Sequence, residues 1–435
     1  AIYLLSFIVT FGGERFYPHR VMRILFVPAV LTLAALVPNN LVLLGIGHWR
    51  LSLVTQVSLY SVTLFIICLV CHGELYRIRP PAGQLTAFYL SISGGGALGG
   101  AFVSLLAPAL FPFYIEHRIG LIICSLTLLL LVARRPAAVV AGLVAVAALA
   151  AYEFQIERIP LKTAFHWERS FYGVLSLHAE GSTPQDRRIM LRNGNVRHGF
   201  QYLDPALRDQ PTVYFHARSG VGLAFRHVPR RGPMHVAVLG LGVGTLAAYA
   251  QPGDTHRYYE LNPAVTALAF NQDVFQYLGA ARARGANISV ATGDGRLMLE
   301  RDLADGTVQP GSLDLFVLDA FTSDSIPVHL LTMEAFELYR RALRPDGLIA
   351  VHISNKHLDL SPLLFATGER MGWRVCLVVT PSLPEMGAEY CRWVLMTNNR
   401  EFFAQPEVQQ TALALPGAKM RPWTDDFSNL FSVWN

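Results

Sequence analysis

Apolar runs dominate the first third of the chain, at about 1–11, 24–47, 53–71, 85–111, 119–133 and 136–152. A helix that crosses the hydrocarbon core of a bilayer needs about 20 apolar residues, with about 17 tolerated. The middle four runs meet that length and predict spanning helices. The first is a fragment of a span; the chain starts inside it without an initiator Met, which predicts a true N-terminus further upstream. The last, Pro136–Tyr152, is uncharged but short and rich in alanine. The segment Ser93–Gly100 (SGGGALGG) falls mid-span, where small residues let helices approach closely. Residues 1–152 therefore read as a helical transmembrane domain of five to six spans, with the lipid bilayer as its first partner.

After Glu153 the pattern changes. Residues 153–232 read as a linker and a small β domain. Its strand-like pieces are Phe171–Leu177, Arg188–Leu191 and Val213–Phe215, with a turn signal at Asn193-Gly194. From residue 233 strands and helices alternate. Strands are predicted at 235–239, 257–260, 288–292, 313–318 and 348–353, and helices at 245–250, 263–270, 295–303, 333–343 and 361–371. Strands 374–380 and 391–397 have no helix between them and predict an antiparallel hairpin. Five strands alternating with helices imply an α/β, doubly wound parallel sheet with ligands at the carboxyl ends of the strands. With the terminal hairpin this is the Rossmann-like plan of S-adenosylmethionine transferases, over 233–398. Residues 399–435 read as a C-terminal tail.

Charge divides at the same place. The first 152 residues hold nine Arg, no Lys and three Glu, a formal +6, whereas the whole chain is +5, leaving −1 for the rest. The basic character belongs to the membrane loops and gives no reason to invoke nucleic acid. Orientation is open. Seven arginines (Arg15, Arg20, Arg23, Arg77, Arg79, Arg134, Arg135) lie in one set of loops and two (Arg50, Arg118) in the other. The positive-inside rule puts the larger set in the cytoplasm. Residues 153–435 then face outward if 136–152 cross the bilayer, and face the cytoplasm if they do not.

Every strong polar signal falls where the sheet plan puts the ligand crevice. Gly240, Gly242 and Gly244 follow strand 235–239. Glu260 ends the second strand, 20 residues after the first glycine. Asp294 and Gly295 follow the third, and Asp319 the fourth. Glycines let backbone approach a ligand and turn sharply, and a strand-end carboxylate suits ribose hydroxyls. Asp294 reads either as an adenine contact or as the cap of the helix after it. The four strand ends together predict a nucleoside site.

At this point a resemblance is plain. Residues about 168–398 resemble the spermidine synthase (polyamine aminopropyltransferase) family, in particular its membrane-fused branch of major-facilitator/spermidine synthase fusions. The likeness rests on Arg192–Gln201 (RNGNVRHGFQ), on Asp319–Pro327 followed by Val328–Thr332, and on Thr424–Asn429 in the soluble part. Cys71–Arg77, Leu85–Leu90 and Gly94–Gly100 carry it in the membrane part. It implies transfer of an aminopropyl group from decarboxylated S-adenosylmethionine to a polyamine or other amine, at a bacterial inner (plasma) membrane, without a metal. It implies Asp319 as the catalytic aspartate, with Asp324 as a second acid and Tyr214 as an aromatic contact. By the same likeness Glu260 holds ribose, Asp294 adenine, the Gly240–Gly244 loop lies beneath the nucleoside with Gly295 beside it, and Gln201 is a further donor contact. Two departures leave the acceptor open: Asn193-Gly194 stands where soluble members have Asp-Gly, and the loop after Asp319 is stretched. Two other functions stand beside this one. The first is a methyltransferase using ordinary S-adenosylmethionine; the second is a non-catalytic subunit of a membrane assembly, with other membrane proteins as partners.

Several residues carry bland readings. His352 reads as a core or strand-end histidine, with a substrate contact as the alternative. Glu74 and Glu116 read as interfacial ion pairs with Arg77 and Arg118. Trp423–Asn429 reads as a capped turn, the alternative being a lid supplying Asp425 or Asp426. Cys376 and Cys391 read as buried free thiols, the alternative being a cross-strand disulfide.

Overall fold

The computed structural model describes residues 1–13, 17–35, 52–132, 135–194, 196–321, 326–355, 357–414 and 420–434. It divides into two compact units, 1–163 with 169–171, and 164–168 with 172–435.

The first unit is helical: Ile2–Phe11, His19–Ala35, Leu53–Arg77, Leu85–Ala101 with its continuation to Leu110, Glu116–Val132 and Pro136–Thr163. Among the described residues three stretches, Val54–Arg77, Ala82–Leu110 and Pro136–Phe154, are long and apolar enough to cross a membrane. Pro136–Thr163 corrects the impression of a short last element. The helix runs 28 residues, continuing past the apolar run to Thr163. The second half of the run 24–47 lies outside the described residues.

Buried charge in this unit ties helices together. Glu74 accepts from Arg23 at 2.6 and 2.7 Å, from Arg77 at 3.0 Å and from the Tyr17 hydroxyl at 3.0 Å. The pairing with Arg77 is as expected. Glu116 departs from expectation: it takes Arg169 at 2.6 and 3.1 Å, and Arg118 donates instead to the Glu153 carbonyl at 2.7 Å. Arg118 lost because helical residues two apart point about 200° apart, to opposite sides.

A four-stranded sheet follows, β1 (Ala164–Ser170, of which Arg169 and Ser170 belong to the first unit), β2 (Gly173–Glu180), β3 (Arg188–Asn193) and β4 (Val196–Tyr202), in that spatial order. Asn193-Gly194 makes the turn between β3 and β4, with Gly194 at φ +56°. The expected strand 213–215 is instead a 3-10 turn, Val213–Phe215.

The larger sheet contains β5 (His235–Leu239), β6 (Thr255–Glu260), β7 (Asn287–Thr292), β8 (Leu313–Leu318), β9 (Leu343–His352), β10 (Arg374–Thr380), β11 (Cys391–Thr397) and β12 (Ala412–Leu413). Its order is β12-β10-β11-β9-β8-β5-β6-β7. Pairs β5–β6, β5–β8, β6–β7 and β8–β9 are parallel; β10–β11 and β11–β9 are antiparallel. This is the expected doubly wound sheet with a terminal hairpin. Register also decides the cysteines: Cys376 faces Leu395 and Cys391 faces Thr380, so they sit at opposite ends of the hairpin as free, buried thiols.

The central strands β5 and β8 are almost wholly apolar because both faces are covered. Val236, Val238, Leu315, Val317 and Trp393 point into one core, which Leu175, Met190, Leu191 and Phe200 of the small sheet complete. Ala237, Leu239, Phe316, Leu318, Ile349 and Val394 point into the other, beneath helices Gly295–Ala304, Met333–Ala342 and Ser361–Arg370. The last residues seal the second core: Trp423 and Val433 are buried, and their carbonyls accept from Met333 N and Asp359 N at 2.8 and 2.7 Å.

Candidate functional site

The carboxyl ends of β5, β6, β7 and β8 form one continuous edge, stitched by backbone. Gly240 N donates to Tyr259 O (2.8 Å), Gly293 N to Glu260 O (2.9 Å) and Asp319 N to Leu239 O (2.9 Å). The order β8-β5-β6-β7 therefore puts Asp319, the glycine loop, Glu260 and Asp294 side by side.

The loop is possible only with glycine. Gly240 sits at φ +94°, and a Cβ there would lie 2.4 Å from the Asp319 carbonyl oxygen. Gly242 sits at φ +54°, its Cβ position 2.9 Å from the His198 carbonyl. A 3-10 turn, Thr245–Tyr249, follows where a helix was expected. Ala250, extended at ψ +131°, ends the turn two residues before Pro252. Gly295 is needed for packing, since a Cβ would sit 2.7 Å from Leu239 Cγ.

Glu260 folds back over this loop. One of its oxygens accepts from Leu241 N (3.0 Å) and the other from Asn262 N (2.8 Å). Burial pushes its carboxyl above the usual range, and these amide hydrogen bonds only partly offset that. Each oxygen keeps a lone pair for a further donor.

Asp294 caps helix Gly295–Ala304. Its Oδ1 accepts from Arg296 N and Leu297 N, both at 3.1 Å, and its Oδ2 meets His329 Nε2 at 2.8 Å. Arg296 in turn makes two 2.7 Å contacts to Asp425, whose carboxyl it holds down at about 2. Thr332 Oγ1 also donates to Asp425 at 2.7 Å. Residues 423–427 are thus a docked turn, with Thr424 N and Phe427 N each bonded to the other's carbonyl.

Asp319 has the partner that sequence reading missed. Its Oδ1 lies 2.5 Å from His352 Nδ1, and no described contact engages Oδ2. Register brings the pair together: Leu318 faces Val351, so the next residues on the two parallel strands stand level. Arg392 N donates to Ser354 Oγ at 2.9 Å, and Ser354 Oγ lies 2.7 Å from His352 Nε2. Because a carboxylate only accepts, the proton between His352 and Asp319 belongs to Nδ1, leaving Nε2 to accept the Ser354 hydroxyl proton. Burial pushes the Asp319 carboxyl up, and His352 pulls it part of the way back.

Aromatic rings clamp the imidazole. Trp393, its direct cross-strand neighbour, stacks at 4.6 Å and 16°; Tyr214 lies at 4.4 Å and 31°; Phe321 meets it edge-on at 5.0 Å. Trp393 Nε1 donates to the Tyr214 carbonyl at 3.0 Å. Tyr214 owes its place to strain. Val213, fully buried, is held at φ +48°, a conformation that β-branched residues avoid. It is pinned by hydrogen bonds to Gly387 O (2.7 Å) and from Glu389 N (3.3 Å). Burial raises the Tyr214 phenol well above its ordinary value, so it stays neutral.

One expected site residue, Gln201, is engaged elsewhere. Gln201 spends its amide on the Arg208 carbonyl (3.0 Å) and Gln276 N (2.7 Å). Asp324 lies outside the described residues. Asn193 donates to the Tyr172 carbonyl at 3.5 Å in the small-sheet turn. The sequence marked His352 only as a core or strand-end histidine or a substrate contact; strand register reveals its pairing with Asp319.

No protein-family model matches the chain. Over 197 residues it is 28% identical to a polyamine aminopropyltransferase of Vibrio vulnificus (strain CMCP6), a match spanning 44% of this chain and 59% of that protein. Among solved structures, it is similar to a probable spermidine synthase from Corynebacterium glutamicum ATCC 13032 (TM-score 0.45, 21% identity, 61% of this chain and 98% of that one). A spermidine synthase from Thermotoga maritima gives a TM-score of 0.38 at 13% identity, covering 61% and 82%. A spermidine synthase in complex with the transition state analogue AdoDATO gives 0.37 at 11%, with the same coverage.

Proposed function

We propose that the α/β unit is an aminopropyltransferase of the spermidine synthase kind, carried on a membrane-spanning helical unit. The observation that carries this is one edge holding a ligand-accommodating glycine loop, a ribose-suited Glu260, Asp294 and a buried Asp319. The likeness to the Vibrio enzyme supports it.

The reaction asks little covalent work of a protein. A neutral amine attacks the propyl carbon beside a sulfonium; the C–N bond forms, the C–S bond breaks, and its electron pair returns to sulfur. The new ammonium then gives up a proton. The site must hold both partners in line and accept that proton. Glu260 takes the ribose hydroxyls on its remaining lone pairs. Asp294 Oδ2 receives the adenine amino group in exchange for the exposed His329. Asp319 attracts and orients the amine, and its free Oδ2 takes the proton.

A decarboxylated donor suits the edge better than intact S-adenosylmethionine, whose carboxylate wants a cation. The described arginines nearby are committed, Arg197 to Glu389 at 2.7 Å and Arg296 to Asp425. This favours aminopropyl over methyl transfer. The acceptor is an aliphatic amine or polyamine.

The test compares both donors with the full chain in detergent or nanodiscs. Decarboxylated donor plus a diamine should release 5′-methylthioadenosine, and Asp319→Asn should lower kcat by about 10³-fold while leaving donor affinity unchanged. Tighter binding of the carboxylated donor with methyl transfer would make the protein a methyltransferase. Binding of neither donor would remove the catalytic reading.

A further inference from the structure

We infer that His352 is the positioning residue of this site: its Nδ1–H holds one oxygen of Asp319 in place and ionised, so that the other oxygen faces the amine. This rests on the transferase reading above.

The geometry is built for that one task. The ring is clamped between Tyr214 and Trp393 with Phe321 at its edge, so it cannot turn away from Asp319. The strained Val213 spends conformational energy to bring Tyr214 there, a cost that persists only where surrounding structure imposes it. At the far side, Arg392 N–H fills one lone pair of Ser354 Oγ, which directs the hydroxyl proton to Nε2 and selects the tautomer that donates to Asp319. A histidine serving only as core filler needs none of these partners.

The need is physical. A carboxyl buried this deeply prefers to be protonated, and a protonated acid neither attracts an ammonium nor takes its proton. The described groups facing the dyad are few. Tyr214 stays neutral, the Cys391 thiol is pushed up to about 12 by burial, and Glu389 is engaged by Arg197. Glu260, raised by burial and by the charge of Asp319, also faces the dyad. The acid limb of the rate profile therefore combines Glu260 with Asp319, and the part that moves with the residue at 352 belongs to Asp319.

Two substitutions separate positioning from mere support. His352→Leu removes the donor, and His352→Gln offers an amide N–H to the same oxygen. Transfer by His352→Leu should fall about 10²-fold near neutrality, with its acid limb displaced to higher pH and much of the rate recovered there; His352→Gln should keep the limb close to that of the parent. Ser354→Ala, which spares the ring, should displace the limb in the same direction by less, and serves if His352→Leu does not fold. An unmoved limb in these variants, or equal losses with Leu and Gln, would overturn the inference. A readout independent of turnover is the ¹⁵N spectrum of histidine-labelled protein, assigned with His352→Gln. A protonated Nδ1 across neutral pH supports the role, and an unprotonated Nδ1 overturns it even in a protein that transfers nothing. Failure of the transferase reading shows separately, as a parent chain that binds neither donor.

Discussion

The two ends of the parallel sheet treat their buried acids in opposite ways. At the amino end Asp254 is fully buried and saturated: Arg230 pairs with it at 3.0 and 3.1 Å, Met234 N donates at 2.7 Å and Gln251 N at 2.9 Å. These partners outweigh burial and hold its carboxyl below the usual range. Asp314, also buried, takes His235 N at 2.7 Å and pairs with Arg344. At the carboxyl end no described arginine meets Glu260 or Asp319, and both are pushed up. An acid whose partners satisfy it is part of the frame. An acid left dry and half-satisfied costs stability, and such groups collect where chemistry is done.

The helical unit teaches the same lesson as the amino end. Glu74 and Arg118 are buried, and each is consumed by contacts between helices. These two charges close the packing between helices.

The contrast can be broken experimentally. The largest effect belongs to the amino end. Asp254→Ala strands Arg230 and two amide groups and should destabilise the unit by about 3–5 kcal/mol in chemical denaturation. The stabilising contribution of Asp254 is complete above the unfolded carboxylate pKa of about 3.9 and fades as pH falls toward its depressed folded value, so the gap between variant and parent should close in acid. A gap that widened in acid would reverse the assignment.

Next comes the glycine loop. Gly240→Ala meets both a left-handed backbone and the Asp319 carbonyl at 2.4 Å, and should cost about 1–3 kcal/mol while weakening donor binding. Unaltered donor affinity would separate the loop from the nucleoside.

The smallest effect has the opposite sign. Asp319→Asn keeps an acceptor for His352 but removes the cost of ionising a dry acid, so at neutral pH it should match or exceed the parent in stability by up to about 1 kcal/mol. Because the folded pKa is raised, that cost is absent below about 3.9 and complete above the folded value; the gain should vanish in acid. A clear loss of stability at neutrality would place Asp319 with Asp254 among the framework acids.

Strand bounds were legible where apolar residues dominate the run: 235–239, 313–318, 374–380 and 391–397 appear as read. The misreadings fell where local pattern met a tertiary demand. Residues 213–215 look like a strand, yet Val213 is bent to aim Tyr214; residues 245–250 look helical, yet they form a 3-10 turn that the extended Ala250 ends. Glu116 and Arg118 look like a pair, yet each finds its partner elsewhere.

What the chain determined by itself was the order and kind of its elements, the glycines that its sharp loop requires, and the acids at its strand ends. These follow from periodicity, backbone sterics and alternation, which act over a few residues. Which of those acids would be satisfied and which left poised was decided only in three dimensions. Strand register set Asp319 beside His352, Trp393 beneath it and Arg392 N–H on Ser354, and register depends on which strands become neighbours, a choice made by burial of the whole sheet.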